Sequence, residues 1–156
     1  MNILFVCTAN ISRSFLSEKL FKYETQKHNL TDIIAASAGV MALSGSPPDP
    51  KMVDYLDSIG ISSDGHQSRQ LDKEIVGWAD RILVMEKNHY RHIEINFPEA
   101  IEKVELLGKY VSPDASQDDI VDPFGRSSYH YRLSQSQIQM AVEGLINSIR
   151  FERLGV

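Results

Sequence analysis

The chain has 156 residues, 42% of them hydrophobic and 24% charged, with a formal net charge of -5; this is enough for one hydrophobic core and short for two, and the acidic balance excludes a global basic field for gripping nucleic acid. A single cysteine, Cys7, rules out an internal disulfide and a cysteine-built zinc site and points to a reducing compartment. With no run of about eighteen apolar residues and no basic-then-apolar leader, the expectation is a cytoplasmic protein that does not insert into membranes.

Ile3 to Val6 is continuously apolar, the pattern of a strand covered on both faces in a parallel sheet. From Ser14 to about Lys27, Phe15, Leu16, Leu20, Phe21 and Tyr23 recur at helical spacing among charged residues and predict an amphipathic helix. A second strand is expected at about Ile33 to Ser37, ending at Ser37-Ala38-Gly39, then a Gly/Pro-punctuated stretch leading to a helix near Lys51 to Ser58 that Gly60 would stop. Arg81 to Met85 reads as a third strand and Val104 to Leu107 as a short fourth. His89 and His92 are three apart with no third ligand and read as a solvated helix face, while Trp78 reads as core. Helical periodicity returns from about Ser134 to Arg150. Without repeats or linkers, residues 1 to 156 form one α/β domain built from strand-to-helix crossovers.

The chemistry concentrates where the first strand ends, at Cys7-Thr8-Ala9-Asn10-Ile11-Ser12-Arg13-Ser14. Ligands of open parallel sheets collect beyond the carboxyl ends of strands, and a loop running into a helix N-terminus offers unpaired amides to an anion. Arg13 can fork onto two oxygens of a phosphoryl dianion while loop amides hold the rest. The same positive surroundings favour the thiolate of Cys7 as a nucleophile, to which the Ser14 hydroxyl could donate. Taken alone, Cys7 could equally be a small buried hydrophobe and Arg13 a surface residue. A cysteinyl phosphatase also needs one group to serve as acid and then base, and Asp122, in the turn-like Asp122-Pro123-Phe124-Gly125, is the candidate.

With these residues in view, the sequence resembles the low-molecular-weight protein tyrosine phosphatases, bacterial branch, over almost its whole length. Val6 to Ser14 is similar to the family's signature loop and Asp122-Pro123-Phe124 to its late acid motif. Between them Ser37-Ala38-Gly39, Pro48-Asp49-Pro50, Gly60-Ile61, His66 with Ser68-Arg69-Gln70-Leu71, Ala79 to Met85 and Leu106-Leu107-Gly108 match in order. The resemblance implies a three-layer sandwich with a four-stranded parallel sheet flanked by helices and a phosphate-binding loop after the first strand. It implies two-step hydrolysis through a cysteinyl phosphate, with no metal and no cofactor: Cys7 as nucleophile, Arg13 as phosphate clamp and Asp122 as acid then base. It further implies substrate contacts from Thr8, Ala9, Asn10, Ile11, Ser12 and Ser14, a rim at Val40, Met41, Leu43 and Phe124 that Tyr129 and Tyr131 could join, and loop support from Asn10, Ser14, Ser37 and His66.

Three positions depart from the family pattern. Ala9 replaces a glycine, which would strain the loop if that residue needed a positive φ. Ser12 replaces a second loop cysteine, so an oxidised Cys7 has no partner thiol in the chain. Phe15 replaces a proline at the first helical turn. Ile11 stands where the family's arginine-phosphate members carry threonine, which favours an aromatic phosphoester over a phosphoguanidinium. The expected partner is a phosphotyrosine-containing protein, with a bacterial tyrosine kinase of exopolysaccharide assembly as the specific candidate. The rivals are a phosphopeptide-binding module that has lost turnover and a phosphatase of another phosphoresidue such as phosphoarginine; disulfide-relay arsenate reduction lacks the cysteines it needs.

Overall fold

The computed structural model describes residues 1 to 115 and 118 to 155. Four parallel strands, β1 (Asn2–Cys7), β2 (Ile34–Gly39), β3 (Arg81–Val84) and β4 (Val104–Leu106), lie in the order β2-β1-β3-β4. Helices α1 (Arg13–Lys27), α2 (Pro50–Ser58), α3 (Lys73–Trp78), α4 (Lys87–Asn96) and α5 (Ser128–Leu154) connect and cover them. This is the expected three-layer α/β sandwich with its loop after the first strand.

The apolar run of β1 is explained by burial on two sides. Ile3, Phe5 and Cys7 enter one core with Phe15, Leu16 and Leu20 of α1 and Ile138, Val142 and Leu145 of α5. Leu4 and Val6 enter a second core with Ile75 and Val76 of α3 and Ile93 of α4. Because the chain goes from β1 to β2 on one side and later returns to β3 on the other, the strand order reverses at β1. That is the switch point at which open α/β sheets bind ligands.

Several elements differ from the sequence expectation. α1 is amphipathic only in its second half: Arg13 to Glu18 are all buried, because the helix starts beneath the loop and between the sheet and α5. α5 begins at Ser128, six residues before its apolar periodicity becomes visible. Asp119 caps the start of α4, accepting from Lys87 N at 2.9 Å, so this half of the Asp118-Asp119 pair has a structural role.

Candidate active site

The loop from Cys7 to Arg13 owes its shape to where its carbonyls go, since each backbone acceptor must find a partner. Cys7 O accepts from Val40 N at 3.0 Å, Thr8 O from Met41 N at 2.8 Å, Ile11 O from Asp49 N at 2.8 Å and Ser12 O from Leu16 N at 2.9 Å. Asn10 O accepts from His66 Nε2 at 2.8 Å. In a trans peptide the carbonyl and the following N–H point in opposite directions, and no peptide among the described residues is cis. The amides of Thr8, Ala9, Ile11, Ser12 and Arg13 therefore turn away from those anchors, and among the described residues none finds a protein acceptor. A cavity of about 140 Å³ lies at the loop, lined by Cys7, Thr8, Ala9, Ile11, Ser12, Arg13, Asp122 and Phe124. The first turn of α1 carries no acidic residue and no side-chain cap, so nothing internal competes for an anion there.

Asn10 makes the bend. Its φ is 58°, the left-handed region that asparagine tolerates better than most residues. Its amide nitrogen donates to Ser14 Oγ at 2.8 Å and to Ser37 Oγ at 2.9 Å, and its Oδ1 accepts from Arg69 N at 2.9 Å. Ser37 donates onward to Glu18 at 2.7 Å. Because Ser14 Oγ already accepts from Asn10, its proton is available to Cys7 Sγ, 2.9 Å away. Burial pushes His66 below the usual histidine value, keeping it neutral, and the Phe15 ring packs on it with centroids 4.6 Å apart. The residue at the usual proline position thus orients the histidine that holds Asn10 O. All four expected loop supports, Asn10, Ser14, Ser37 and His66, meet in this one network.

Arg13, only 2% exposed, lies under the cavity. Its Nη1 donates to Ile120 O at 2.9 Å and pairs with Glu86 at 3.1 Å, while Nη2 stands 3.7 Å from Asp122 Oδ2. The Nε–Nη2 edge has no protein hydrogen-bond acceptor among the described residues. Asp122 is half exposed and its Oδ1 accepts from Phe124 N at 3.2 Å.

The structure corrects three sequence readings and answers the condition set on Ala9. His89 is buried rather than on a solvated face: its Nδ1 accepts from Glu86 N at 3.1 Å, and its Nε2 donates to Thr8 Oγ1 at 2.9 Å. Burial, with the Arg13 charge nearby, lowers its pKa to about 3. Val40, Met41 and Leu43 lie outside the cavity lining, as do Asn10 and Ser14, which are fully buried, and Val40 and Met41 serve the loop through their backbone amides instead. Tyr131 is buried and not part of a rim. Ala9 is absent from the left-handed region, so its methyl causes no strain of that kind. Sequence reasoning missed Glu86, His89 and Glu18. Glu86 and His89 form a reciprocal capping box at the start of α4, a three-residue spacing that carries a signal only once that helix is recognised.

A phosphate-sized cradle of amides and one arginine over a buried thiol, at the switch point of a parallel sheet, defines a phosphate-handling α/β protein. The family model for low molecular weight phosphotyrosine protein phosphatase matches residues 2 to 154, and the chain belongs to that family. It is similar to a protein-arginine-phosphatase of Geobacillus stearothermophilus, 34% identical over 97% of each chain. It is also similar to EpsP of Ralstonia nicotianae, a probable low molecular weight protein-tyrosine-phosphatase, 32% identical over 95% of each. Among solved structures, a YwlE arginine phosphatase in a cysteine-to-serine form with a phosphorylated active-site serine superposes with a TM-score of 0.90, at 31% identity over 98% of each chain. Vibrio vulnificus Wzb in complex with benzylphosphonate superposes with a TM-score of 0.84, at 30% identity over 94% of this chain and 97% of Wzb.

Proposed function

We propose that this protein phosphatase acts on phosphotyrosine in proteins, with Cys7 as nucleophile, Arg13 and the loop amides as the phosphoryl clamp, and Asp122 as acid and base. The observation that carries the reading is that Cys7, Arg13 and Asp122 line one cavity of about 140 Å³. In the first step Cys7 sulfur bonds to phosphorus as the phosphorus–oxygen ester bond breaks, and Asp122 gives its proton to the leaving phenolate. In the second, Asp122 takes a proton from water, whose oxygen displaces the sulfur and releases phosphate. Ser14, donating to the sulfur, eases its departure. A relative that carries phosphate on a serine substituted for its active-site cysteine supports the covalent step.

The apolar walls favour a ring. Ile11 lines the cavity, and Phe124, 60% exposed, stands at its mouth. Against this stands the name protein-arginine-phosphatase borne by relatives at 34% and 32% identity, which makes phosphoarginine the second reading. A bacterial tyrosine kinase of exopolysaccharide assembly is the candidate protein substrate, on the resemblance of the segment after Ser37 to the bacterial branch. Among the described residues no helix is long and apolar enough to cross a membrane.

The test is a comparison of kcat/KM on a phosphotyrosine peptide and a phosphoarginine peptide, for the wild type, Ile11→Thr, Cys7→Ser and Asp122→Ala. Wild type should prefer phosphotyrosine, and Ile11→Thr should shift the ratio toward phosphoarginine. Cys7→Ser should lose turnover while retaining inorganic phosphate binding, and Asp122→Ala should lose about 10²–10⁴-fold on esters with poor leaving groups. Preference of the wild type for phosphoarginine would overturn the phosphotyrosine assignment.

A further inference from the structure

One buried carboxylate outside the cavity lining joins the two halves of the active site. Asp49 is 3% exposed. Its Oδ2 accepts from Ser12 Oγ at 2.7 Å and from Tyr131 OH at 2.6 Å, and its Oδ1 accepts from Lys51 N at 3.0 Å as the N-cap of α2. Its own amide holds Ile11 O at 2.8 Å. Asp49 therefore grips the Ile11–Ser12 peptide from the carbonyl and from the next side chain. The same carboxylate grips Tyr131, in the first turn of α5, immediately after the segment that carries Asp122.

That segment is short and pinned at both ends. Upstream of Asp122, Ile120 N donates to Met85 O at 2.8 Å, Ile120 O accepts from Arg13 Nη1 at 2.9 Å, and Val121 N donates to Gln137 Oε1 at 2.9 Å. Downstream, Phe124 to Ser127 are exposed and lead directly into α5, so the Tyr131–Asp49 bond is the buried polar anchor on that side. We infer that Asp49, clasped by Ser12 and Tyr131, is a positioning residue that sets the acid segment in register with the nucleophile loop, an inference that rests on the phosphatase reading above. Two features keep the clasp closed. Burial and the adjoining Asp49 charge push the Tyr131 phenol upward, so it stays a donor, and Lys51 Nζ sits 4.6 Å from the centre of the Tyr131 ring. Ser12, in place of the family's second loop cysteine, supplies a stronger donor to the carboxylate than a thiol would.

Tyr131→Phe removes one hydroxyl and leaves the ring. The experiment measures kcat/KM, which reports the step that releases the leaving group, on phenyl phosphate, a poor leaving group, and on 4-nitrophenyl phosphate, a good one, with inhibition by inorganic phosphate as the readout of the cradle. Expected is a loss of about three- to tenfold on phenyl phosphate, a small part of what a positioned acid supplies. The loss on 4-nitrophenyl phosphate should be under about twofold and phosphate inhibition unchanged, because the acid and not the clamp has shifted. In an Asp122→Ala background the same substitution should cost nothing further. Ser12→Ala breaks the clasp from the other end and should show the same leaving-group dependence, with weaker phosphate inhibition added, which provides a second route if Tyr131→Phe folds poorly. An equal loss on both esters, or a loss that persists without Asp122, overturns the inference and leaves the phosphatase reading standing. No turnover of either ester by the wild type would overturn both.

Discussion

Asn10 carries more of the site than its place between Ala9 and Ile11 suggests, because the bend it makes and the bonds it donates are the same device. At φ 58° a side chain that cannot bond locally costs roughly 1–2 kcal/mol. Removing the amide also strands Ser14, Ser37 and Arg69 N in a buried setting. Asn10→Ala is therefore expected to lower stability by about 2–4 kcal/mol in urea unfolding. It should also reduce turnover, because Ser14 would no longer be held with its proton toward Cys7. Ser14→Ala separates the two effects: turnover should fall with a smaller loss of stability, since Asn10 keeps its other two partners. If Asn10→Ala unfolds at the wild-type urea midpoint, the network does not hold the bend. Ala9 shows the opposite case. The left-handed residue is the next one along, so Ala9 lines the cavity without strain from a positive φ.

Among the elements, β2 matters to the site through its last residue. Gly39 ends the strand against the loop, and a Cβ there would lie 2.6 Å from Thr8 O and 2.9 Å from Ala9 C and Asn10 N. These are backbone atoms that cannot swing aside, so Gly39→Ala should push the loop off its anchors. The expected cost is about 1–3 kcal/mol of stability together with weaker phosphate binding, read by thermal unfolding and by phosphate inhibition. Wild-type phosphate affinity in a folded Gly39→Ala protein would contradict the close approach. The strand ends within the expected Ser37-Ala38-Gly39, but the approach of Gly39 to the loop is hidden in the sequence because the two meet only when the chain closes. The same limit explains the rest of the comparison. β1 and the Cys7 to Ser14 loop were legible because apolar run, nucleophile, arginine and hydroxyl are contiguous, and Asp122 because a turn isolates it. α3 is six residues long, too short for a periodicity. His89 meets Thr8 across 81 positions and Asp49 meets Ser12 across 37, so their roles arise only when the chain closes.

At the scale of the whole molecule, stability is tied to keeping one histidine uncharged. His89 sits behind the loop with its Nδ1 accepting from Glu86 N and its Nε2 committed to Thr8. A second ring proton would set N–H against N–H, next to the Arg13 guanidinium and with His92 beyond it, while the Glu86 carboxylate 3.8 Å from Nε2 offsets this only in part. Its folded-state pKa of about 3 therefore lies below the usual histidine value of 6.5. Above pH ~6.5 both folded and unfolded chains hold it neutral and it contributes no pH dependence. As pH falls below that, the unfolded chain takes up a proton that the folded one refuses. The stability attributable to this group then declines by up to about 1.4 kcal/mol per pH unit until the folded value is approached. His66, lowered in the same direction by burial, adds a loss of the same sign. His89→Gln keeps an amide that can donate to Thr8 but cannot be protonated. Relative to the wild type it should be less acid-sensitive, so that its urea midpoint minus that of the wild type rises steadily from pH 6.5 down to pH 4.5, whatever the sign of the difference at pH 6.5. The carboxylates and His66 are common to both and cancel in that difference. A constant gap between the two curves across this interval would show that His89 takes up its proton in the folded state as readily as in the unfolded one.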